Sequence, residues 1–502
     1  MIPVAQRQAY PWNRHNAPFP QAFPQVRGVQ GTETDSRSCL YLVQWVFCYY
    51  TKLDPGGPLI DAAWLAERIG DRSARGIAAS MTHLIRGGEI PAGTRLPTVR
   101  GLAAELGVSP GTVADAWATL RRHRVVSAQR RRGTVVIGPP NVPHPARYER
   151  IGEFGNRLAV DLAIAAPDPA LLPPLDAALA AGAHTPRLND YTRETITPAL
   201  REAVEPGWPF PAPGLLTVGG GYEGVQLVCR TVAVPGDRVA VEDPTGARVL
   251  DILEAQGAEV VPVACDGEGP VPAALAEALA ARPAAFLYQP RAQTPRGHAL
   301  TPARAAALAA LLAPAGTLVI EDDGTGDVSS APLVSIGAHL PDRTVLVRSY
   351  SKSHGPDLRI AVIGGAAEPV ERVRVLRSFG TGWTSRILQD ALAHLLTDPA
   401  AAETVARARR AYAERREALA AALAERGVPT GNRDGLMLWV PVADESEALV
   451  TLAAHGVAAA PGSRYQIRPS APHVRVATSR LPEAPLPLGE LAGLLALAAR
   501  PR

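Results

Sequence analysis

The 502-residue sequence predicts the α/β fold class: a large domain of alternating strands and helices follows a small, basic, mainly helical domain. Three observations lead to this prediction. Short apolar strands and helical segments alternate from about residue 157 onward, as in a mostly parallel sheet with helices on both faces. Residues 70–138 hold eleven arginines and only four acidic residues, a net charge of +7 in a chain of net charge +3. A proline-rich stretch separates the two regions.

Composition and periodicity divide the chain into four segments. Residues 1–58 show no helical or strand periodicity, and we expect them to be a poorly ordered extension. Residues 59–138 form the basic domain, and residues 139–156 form a linker stiffened by proline. Residues 157–502 form the α/β domain, which ends in a smaller α/β lobe.

The composition excludes several classes of protein. With 47% apolar and 20% charged residues, the chain is neither disordered throughout nor fibrous. The longest charge-free apolar run, residues 305–320, contains Pro314 and Gly316 and is shorter than the roughly 20 residues of a membrane span. The four cysteines lack the spacing of a metal motif and are too few for a disulfide scaffold, and no leader follows Met1. The sequence therefore predicts a soluble, cytoplasmic protein without a membrane partner or a bound metal.

The basic domain has the pattern of helices followed by a hairpin. Apolar residues recur at helical spacing over residues 77–85 and 99–106, and a third helix begins after Ser109, a suitable N-cap. Two short strands then flank Arg130-Arg131-Arg132-Gly133. This order is typical of a winged helix-turn-helix, whose second helix enters the major groove while the wing contacts phosphates. Charge alone would equally fit a solvated basic face.

Residues 73–137 closely resemble the head of GntR-family transcription regulators. The resemblance is carried by residues 87–113 and 130–136, GGEIPAGTRLPTVRGLAAELGVSPGTV and RRRGTVV. It implies double-stranded DNA as a partner, with paired half-sites for a dimer. The residues that it places at DNA are Arg95, Arg100, Ser109, Thr112, Arg130, Arg131, Arg132 and Gly133. Pro110 stands where the family often has arginine, so the operator cannot be inferred from relatives.

Lysine usage draws attention to one side chain. Of the 51 basic residues only Lys52 and Lys352 are lysines, and arginine cannot replace a lysine whose unprotonated amine must form a Schiff base. Lys352 follows a predicted strand at residues 344–347, in a segment where Ser349, Ser351 and Arg359 are suited to binding a phosphate. The alternative is the chance survival of a surface lysine.

Two further motifs lie at predicted strand ends. Asp322 ends one strand, where its carboxylate can pair with a protonated pyridine nitrogen. Gly219-Gly220-Gly221 precedes a helix and offers backbone N–H groups to a phosphate. Each motif alone is weak, because glycine turns are common and paired aspartates also occur in magnesium sites and plain turns. Together with Lys352 they match the chemistry of pyridoxal phosphate (PLP).

In this order the motifs closely resemble the fold type I aminotransferase domain over residues 160–498. A GntR head before that domain identifies the chain as a member of the MocR/GabR subfamily of PLP-dependent regulators. The resemblance implies a homodimer with PLP bound as an aldimine at Lys352, and it gives Tyr191 a role at the phosphate of the partner subunit. The residues that it places around PLP are Gly220, Gly221, Tyr222, Asp322, Ser349, Ser351, Lys352, Arg359 and Tyr191. Arg475 matches the arginine that holds a substrate carboxylate, although an ordinary strand-edge arginine is the alternative.

Three positions depart from that family. Gly246 stands where the family usually has an aromatic residue that stacks on the cofactor ring. Gly324 stands where a tyrosine usually supports the phenolic oxygen of that ring, and Thr294 stands where aminotransferases have asparagine. Such contacts contribute about 1 kcal/mol each, so their loss should weaken PLP binding without abolishing it. We expect the electronic control of catalysis to be impaired more than the occupancy of the site by PLP. The sequence therefore favours a regulator that senses an amino acid, an amine or PLP through an aldimine. Two alternatives stay open: an active aminotransferase with an accessory DNA-binding domain, and a regulator whose degenerate body only dimerises.

Overall fold

The computed structural model describes residues 59–122, 125–129, 133–137, 145, 147, 160–481 and 487–500. The chain divides into two compact units, Met1–Val142 and Pro143–Arg502. The predicted N-terminal extension, the three wing arginines and most of the predicted linker lie outside the described residues.

Four helices lie among the described residues of the N-terminal unit: α1 (Ala62–Arg68), α2 (Ala74–Arg86), α3 (Val99–Leu106) and α4 (Pro110–Arg122). Hydroxyl side chains satisfy N–H groups that the helix starts leave unpaired. Oγ of Ser73 accepts a 3.0 Å bond at α2, and Oγ of Ser109 accepts a 3.1 Å bond from N–H of Thr112 at α4. Gly107 ends α3 with φ +65°, so the chain turns at once into α4.

The hairpin that follows completes the predicted head. Strands β1 (Val126–Gln129) and β2 (Gly133–Val136) are antiparallel, with Gln129 opposite Gly133. Leu102 and Leu106 of α3 share one buried core with Val113 and Trp117 of α4. The winged helix-turn-helix prediction is thus confirmed.

The C-terminal unit is built on a mixed sheet. Its strands to residue 365 are β3 (Val160–Asp161), β4 (Gly214–Val218), β5 (Arg238–Asp243), β6 (Glu259–Asp266), β7 (Gly269–Pro270), β8 (Ala285–Tyr288), β9 (Leu318–Asp323), β10 (Thr344–Ser349) and β11 (Ala361–Gly365). Eight of them lie side by side in the order β4-β11-β10-β9-β8-β5-β6-β7. The pairings from β10 to β6 are parallel, so these strands end at one edge of the sheet.

Helices cover both faces of this sheet. The helices of this part are α5 (Asp176–Gly182), α6 (Pro198–Val204), α7 (Gly221–Val232), α8 (Ala247–Gln256), α9 (Pro272–Ala280), α10 (Pro302–Leu312), α11 (Ala367–Arg377) and α12 (Arg386–Thr397). Alternate residues of β5 enter different cores: Val239 and Val241 pack with α7, α8 and α11, whereas Ala240 packs with α9 and α10. This alternation is what a doubly covered sheet requires.

A smaller α/β lobe closes the chain. It contains α13 (Pro399–Ala424), β12 (Met437–Pro441), α14 (Glu445–Ala454), β13 (Val457–Ala458), β14 (Ala460–Pro461), β15 (His473–Ala477) and α15 (Leu488–Ala499). Strands β12, β15 and β14 form an antiparallel sheet, and β13 pairs with β3 from the start of the unit. The predicted fold class, including this lobe, is confirmed. None of the helices in the described part of the chain combines the length and apolarity needed to cross a membrane.

Candidate functional site

Lys352 lies three residues beyond the end of β10, and its ammonium group donates a hydrogen bond to the carbonyl oxygen of Ala165. The side chain is half-buried. Burial, reinforced by the positive charges of Arg475 and Arg480, lowers the pKa of Lys352 from 10.5 to about 8. An amine must lose its proton before it attacks an aldehyde, so the site favours this reaction.

The lowered pKa of Lys352 predicts how PLP loading depends on pH. At pH 7 the unprotonated fraction is roughly 300-fold larger than for a lysine of pKa 10.5. We expect the rate of PLP attachment to apoprotein to rise about tenfold per pH unit below pH 8 and then to level off. Stopped-flow absorbance measures this rate, with a free alkylamine as the reference for the titration of PLP itself. A rate that keeps rising to pH 10 would contradict the lowered pKa.

The glycine turn between β4 and α7 brings three groups together. Gly220 has φ +125°, and a Cβ there would lie 2.9 Å from Nη2 of Arg359. A Cβ on Gly221 would lie 3.1 Å from Cβ of Ser349. The positive φ of Gly220 requires glycine, and the missing side chains at both positions let the start of α7, the guanidinium of Arg359 and the buried Ser349 hydroxyl converge. Such a group of donors suits a phosphate.

Two other residues modify this turn. The carboxylate of Glu223 accepts a hydrogen bond from N–H of Gly219, so one donor of the turn is used within the protein. The backbone N–H of Ser351 donates to Oγ of Ser349 at 3.4 Å, and the Ser351 side chain is half-buried. Both predicted serines thus lie at the turn that leads from β10 to Lys352.

Asp322 is a buried carboxylate on β9 whose charge is poorly compensated. Oδ2 accepts one 2.8 Å bond from Nε2 of Gln289. Burial raises the pKa of Asp322 to about 7; Gln289 opposes this shift, whereas the negative charges of Asp323 and Glu242 add to it. A cation beside Asp322 would lower the pKa of this carboxyl group again. The uncompensated carboxylate therefore suits a protonated pyridine nitrogen as its partner.

Gln289 is a positioning residue that the sequence analysis missed. Besides holding Asp322, it accepts a 2.7 Å bond from N–H of Thr294, and its own N–H donates to Oε1 of Glu242 at 3.1 Å. It thereby joins the ends of β5, β8 and β9. Its position directly after β8 was the only signal in the sequence, and a glutamine at a strand end is not distinctive by itself.

Arg475 lies on β15 and is 7% exposed. Nη2 donates to the carbonyl oxygen of Ala163, and the guanidinium lies 5.3 Å from the ring centroid of Tyr465. Within the described part of the chain, no acidic side chain forms an ion pair with Arg475. Arg475 and Lys352 donate to carbonyl oxygens only two residues apart, those of Ala163 and Ala165, so a ligand carboxylate near the amine can also meet the guanidinium.

The remaining predicted PLP contacts and departures are placed as follows. Tyr191 is 87% exposed and meets Trp383 edge-on at 6.0 Å. A Cβ on Gly246, at the start of α8, would lie 3.9 Å from Oη of Tyr222. A Cβ on Gly324 would lie 3.4 Å from Oδ1 of Asp322, so a larger residue there would border that carboxylate.

In the head, the predicted DNA contacts differ in exposure. Arg100 is exposed on α3, whereas Arg95 is half-buried and its backbone bridges to Leu59 and Val135. The Ser109 and Thr112 hydroxyls bond to each other at 2.9 Å at the start of α4. Gly133 is exposed with φ +74°. Arg130, Arg131 and Arg132 lie outside the described residues.

Comparison with known families agrees with this architecture. The sequence profile "Aminotransferase class I and II" matches residues 160–486, and the profile "Bacterial regulatory proteins, gntR family" matches residues 73–136. The chain is 32% identical over 419 residues to the vitamin B6 salvage pathway transcriptional repressor PtsJ of Salmonella typhimurium, covering 82% of this chain and 96% of that protein. The chain belongs to the MocR/GabR subfamily of PLP-dependent transcription regulators.

Further similarities of this MocR/GabR regulator each cover between 68% and 71% of the chain. It is 28% identical to the pyridoxine biosynthesis regulator PdxR of Corynebacterium glutamicum, over 68% of this chain and 76% of that protein. The Pyrococcus horikoshii kynurenine aminotransferase structure has a TM-score of 0.62 at 20% identity, covering 71% of this chain and 97% of that one. The structure of the α-aminoadipate aminotransferase LysN of Thermus thermophilus, complexed with N-(5'-phosphopyridoxyl)-L-leucine, has a TM-score of 0.61 at 23% identity. The match covers 71% of this chain and 96% of that one. These structures show the same fold.

The residues present fit the cofactor of this family. The glycine turn with Ser349 and Arg359 suits the phosphate, Asp322 suits the ring nitrogen, and Lys352 offers an amine of lowered pKa. PLP is the cofactor of this MocR/GabR regulator. The gntR head makes double-stranded DNA its macromolecular ligand.

Proposed function

We propose that this regulator controls transcription in response to an amino acid, an amine or PLP itself, which it detects through a Schiff base at Lys352. The observation that carries this proposal is the pairing of an amine of lowered pKa with the neighbouring Arg475, in a chain that also bears a DNA-binding head. The proposal includes the domain bounds 59–138 and 157–502 and a cytoplasmic location, where the DNA is found.

The residues of the chain have separate roles in this proposal. Gly220, Gly221 and Arg359 bind the phosphate together with Ser349 and Ser351, and the Tyr222 backbone belongs to the same helix start. Asp322 keeps the ring nitrogen protonated. Arg475 orients a ligand carboxylate toward the amine end of Lys352. PLP, when bound, supplies the aldehyde carbon and the electron-withdrawing ring.

Two classes of effector are supported by different observations. The guanidinium of Arg475, whose Nε has no hydrogen-bond partner among the described residues, supports an amine that carries a carboxylate, such as an amino acid. The names of PtsJ and PdxR, which refer to vitamin B6 salvage and pyridoxine biosynthesis, support PLP itself as the signal. Titrating promoter DNA binding with PLP alone, and then with amino acids added to the PLP-loaded protein, separates the two classes.

This titration, an assay for keto acid and borohydride reduction together test sensing against the alternatives. Sensing predicts that effector changes DNA affinity while no keto acid accumulates with an acceptor present. Sustained conversion of an amino acid with an α-keto acid would establish an active aminotransferase instead. A protein without an absorbance band that borohydride removes would contradict the proposal and leave the body only a dimerisation role.

We also propose that the body is a homodimer in which Tyr191 reaches the phosphate site of the partner subunit. Tyr191 and Phe379 are 87% and 90% exposed in the single chain, which is unusual for large aromatic side chains. A second copy that covers them would explain this exposure. Sedimentation of the full chain should give a dimer, whereas a stable PLP-loaded monomer would contradict this assignment.

The wing prediction concerns the salt dependence of DNA binding. Replacing Arg130, Arg131 and Arg132 together by alanine should weaken binding to DNA of any sequence. With fewer phosphate contacts, the protein releases fewer counterions from DNA when it binds. We expect the slope of log K against log salt concentration to fall by up to about three units. Fluorescence anisotropy at several salt concentrations measures this slope.

A control removes the same charge from the other unit. Replacing Arg407, Arg409 and Arg410 of α13 by alanine should leave the slope unchanged. An unaltered slope in the wing variant would contradict the wing assignment.

A further inference from the structure

A second group of reactive side chains takes no part in the proposed function. Glu242 is on β5, Cys265 is on β6 and His298 follows β8. Glu242 stands opposite Val263, two residues before Cys265, so the register of parallel strands places both side chains on one face. One potential ligand atom from each residue, a carboxylate oxygen, Sγ and an imidazole nitrogen, lies within 4.8 Å of the others.

The polar atoms of this cluster lack the hydrogen bonds that burial demands. Glu242 is fully buried and His298 is 3% exposed. By hydrogen-bond geometry, Oε2 of Glu242 and both ring nitrogens of His298 have no partner among the described residues. His298 and the side chain of Gln293 are still close enough to oppose the upward shift that burial gives the pKa of Glu242. Nε2 of His298 lies 3.4 Å from Oε2 of Glu242, which is longer than a charge-assisted hydrogen bond. Buried polar groups without partners are rare, and they point to a missing ligand.

We propose that Glu242, Cys265 and His298 bind a single Zn²⁺ ion. The donor set decides the class of metal, because a thiolate and an imidazole select borderline-soft cations over Mg²⁺ and Ca²⁺. In tetrahedral zinc sites the donor atoms lie about 3.3–3.5 Å apart. The three ligand atoms, which lie within 4.8 Å of one another, would therefore move closer together by up to about 1.5 Å on binding. The carboxylate and the thiolate together supply the two negative charges that neutralise the ion, and thiol deprotonation releases one proton. A fourth position is left for water.

The surroundings orient one ligand and leave another weakly bonded. Oε1 of Glu242 accepts the N–H of Gln289, which fixes the carboxylate. The Cys265 thiol is enclosed with the other two ligand residues, and its 3.6 Å contact with the carbonyl oxygen of Val263 is a weak one that a metal can replace. The guanidinium of Arg296 donates to the carbonyl oxygen of Cys265, and Arg304 also lies near that residue, so these two cations oppose binding.

The site also adjoins the candidate PLP pocket through one residue. Gln289 contacts Glu242 with its backbone and Asp322 with its side chain. A metal on Glu242 would therefore hold the residue that positions Asp322. The site itself does not depend on the proposed function, because in the described part of the chain none of its three ligand side chains forms a hydrogen bond or ion pair with the groups assigned to PLP or effector. The charge of Glu242 does act on Asp322, whose pKa it raises.

Zinc binding is tested by competition with a chromophoric chelator, using full-length protein dialysed against chelator and freed of unbound PLP. The protein carries Cys39→Ser and Cys48→Ser, because those two thiols in the N-terminal segment are other potential ligands. We expect one Zn²⁺ per chain. Cys265→Ser and His298→Asn should each weaken binding by at least about 100-fold. Cys229→Ala, which removes a buried thiol on α7, should leave binding unchanged.

A second measurement keeps the proposal falsifiable if a ligand variant fails to fold. Zn²⁺ should raise the thermal midpoint of the otherwise unaltered protein, and Mg²⁺ should not. Co²⁺ in place of Zn²⁺ should give a thiolate charge-transfer band that is absent from Cys265→Ser. No zinc uptake by the folded protein, or uptake that Cys265→Ser and His298→Asn leave intact, would overturn the site. Neither result bears on the Schiff base at Lys352, which the borohydride test measures separately.

Discussion

Lys352→Arg is expected to lose covalent PLP attachment and the whole response to effector, while folding and binding DNA normally. Arginine keeps a positive charge beside Arg475 and Arg480, so the electrostatic environment changes little. A guanidinium stays protonated in proteins and cannot form the imine, so the chemistry is lost. The absorbance band of bound PLP and the shift in promoter affinity on adding effector measure the two losses.

The chain offers a matched control for this variant. Lys52 is the other lysine, and Lys52→Arg makes the same chemical change in the N-terminal segment. It should keep both the absorbance band and the effector response. If Lys352→Arg instead regulates its promoter with the amplitude of the unaltered protein, the body serves only for dimerisation.

The fold was predictable where local chemistry and burial agree. Ser109 is followed by Pro110 and a helical apolar pattern, and it does cap α4. The strands beginning at Arg238 and Thr344 are short apolar runs buried on both faces, which only a covered parallel sheet explains. These signals are local, so a single sequence contains them.

Features that depend on distant partners could not be predicted. Strand β11, Ala361–Gly365, ends in two glycines and runs antiparallel between β4 and β10, which no local pattern reveals. Gln289 acquires its role only because β5, β8 and β9 end together. Glu242 and His298 are 56 residues apart, so the cluster with Cys265 has none of the short spacings by which metal motifs are found.

Asp322→Asn should have the second largest effect, on PLP affinity. The amide keeps the volume of the side chain and can still accept the hydrogen bond from Gln289, so the pocket should retain its shape. It cannot carry the negative charge that pairs with a pyridinium nitrogen. Hydrogen bonds to charged groups contribute about 1.5–3 kcal/mol, so we expect the PLP dissociation constant to rise roughly 10- to 150-fold. Absorbance titration of the apoprotein with PLP measures this change.

The neighbouring residue provides the control that separates a specific charge from general disturbance of β9. Glu321 is equally buried, and its carboxylate accepts bonds from Tyr288, Ser335 and the N–H of Ile336, away from Asp322. Burial raises the pKa of Glu321 to about 7, so the protonated, neutral carboxyl group is already populated at neutral pH. The neutral amide of Glu321→Gln resembles that form. This variant should bind PLP as the unaltered protein does. Equal losses in both variants would show that β9 packing, and not the charge of Asp322, determines PLP affinity.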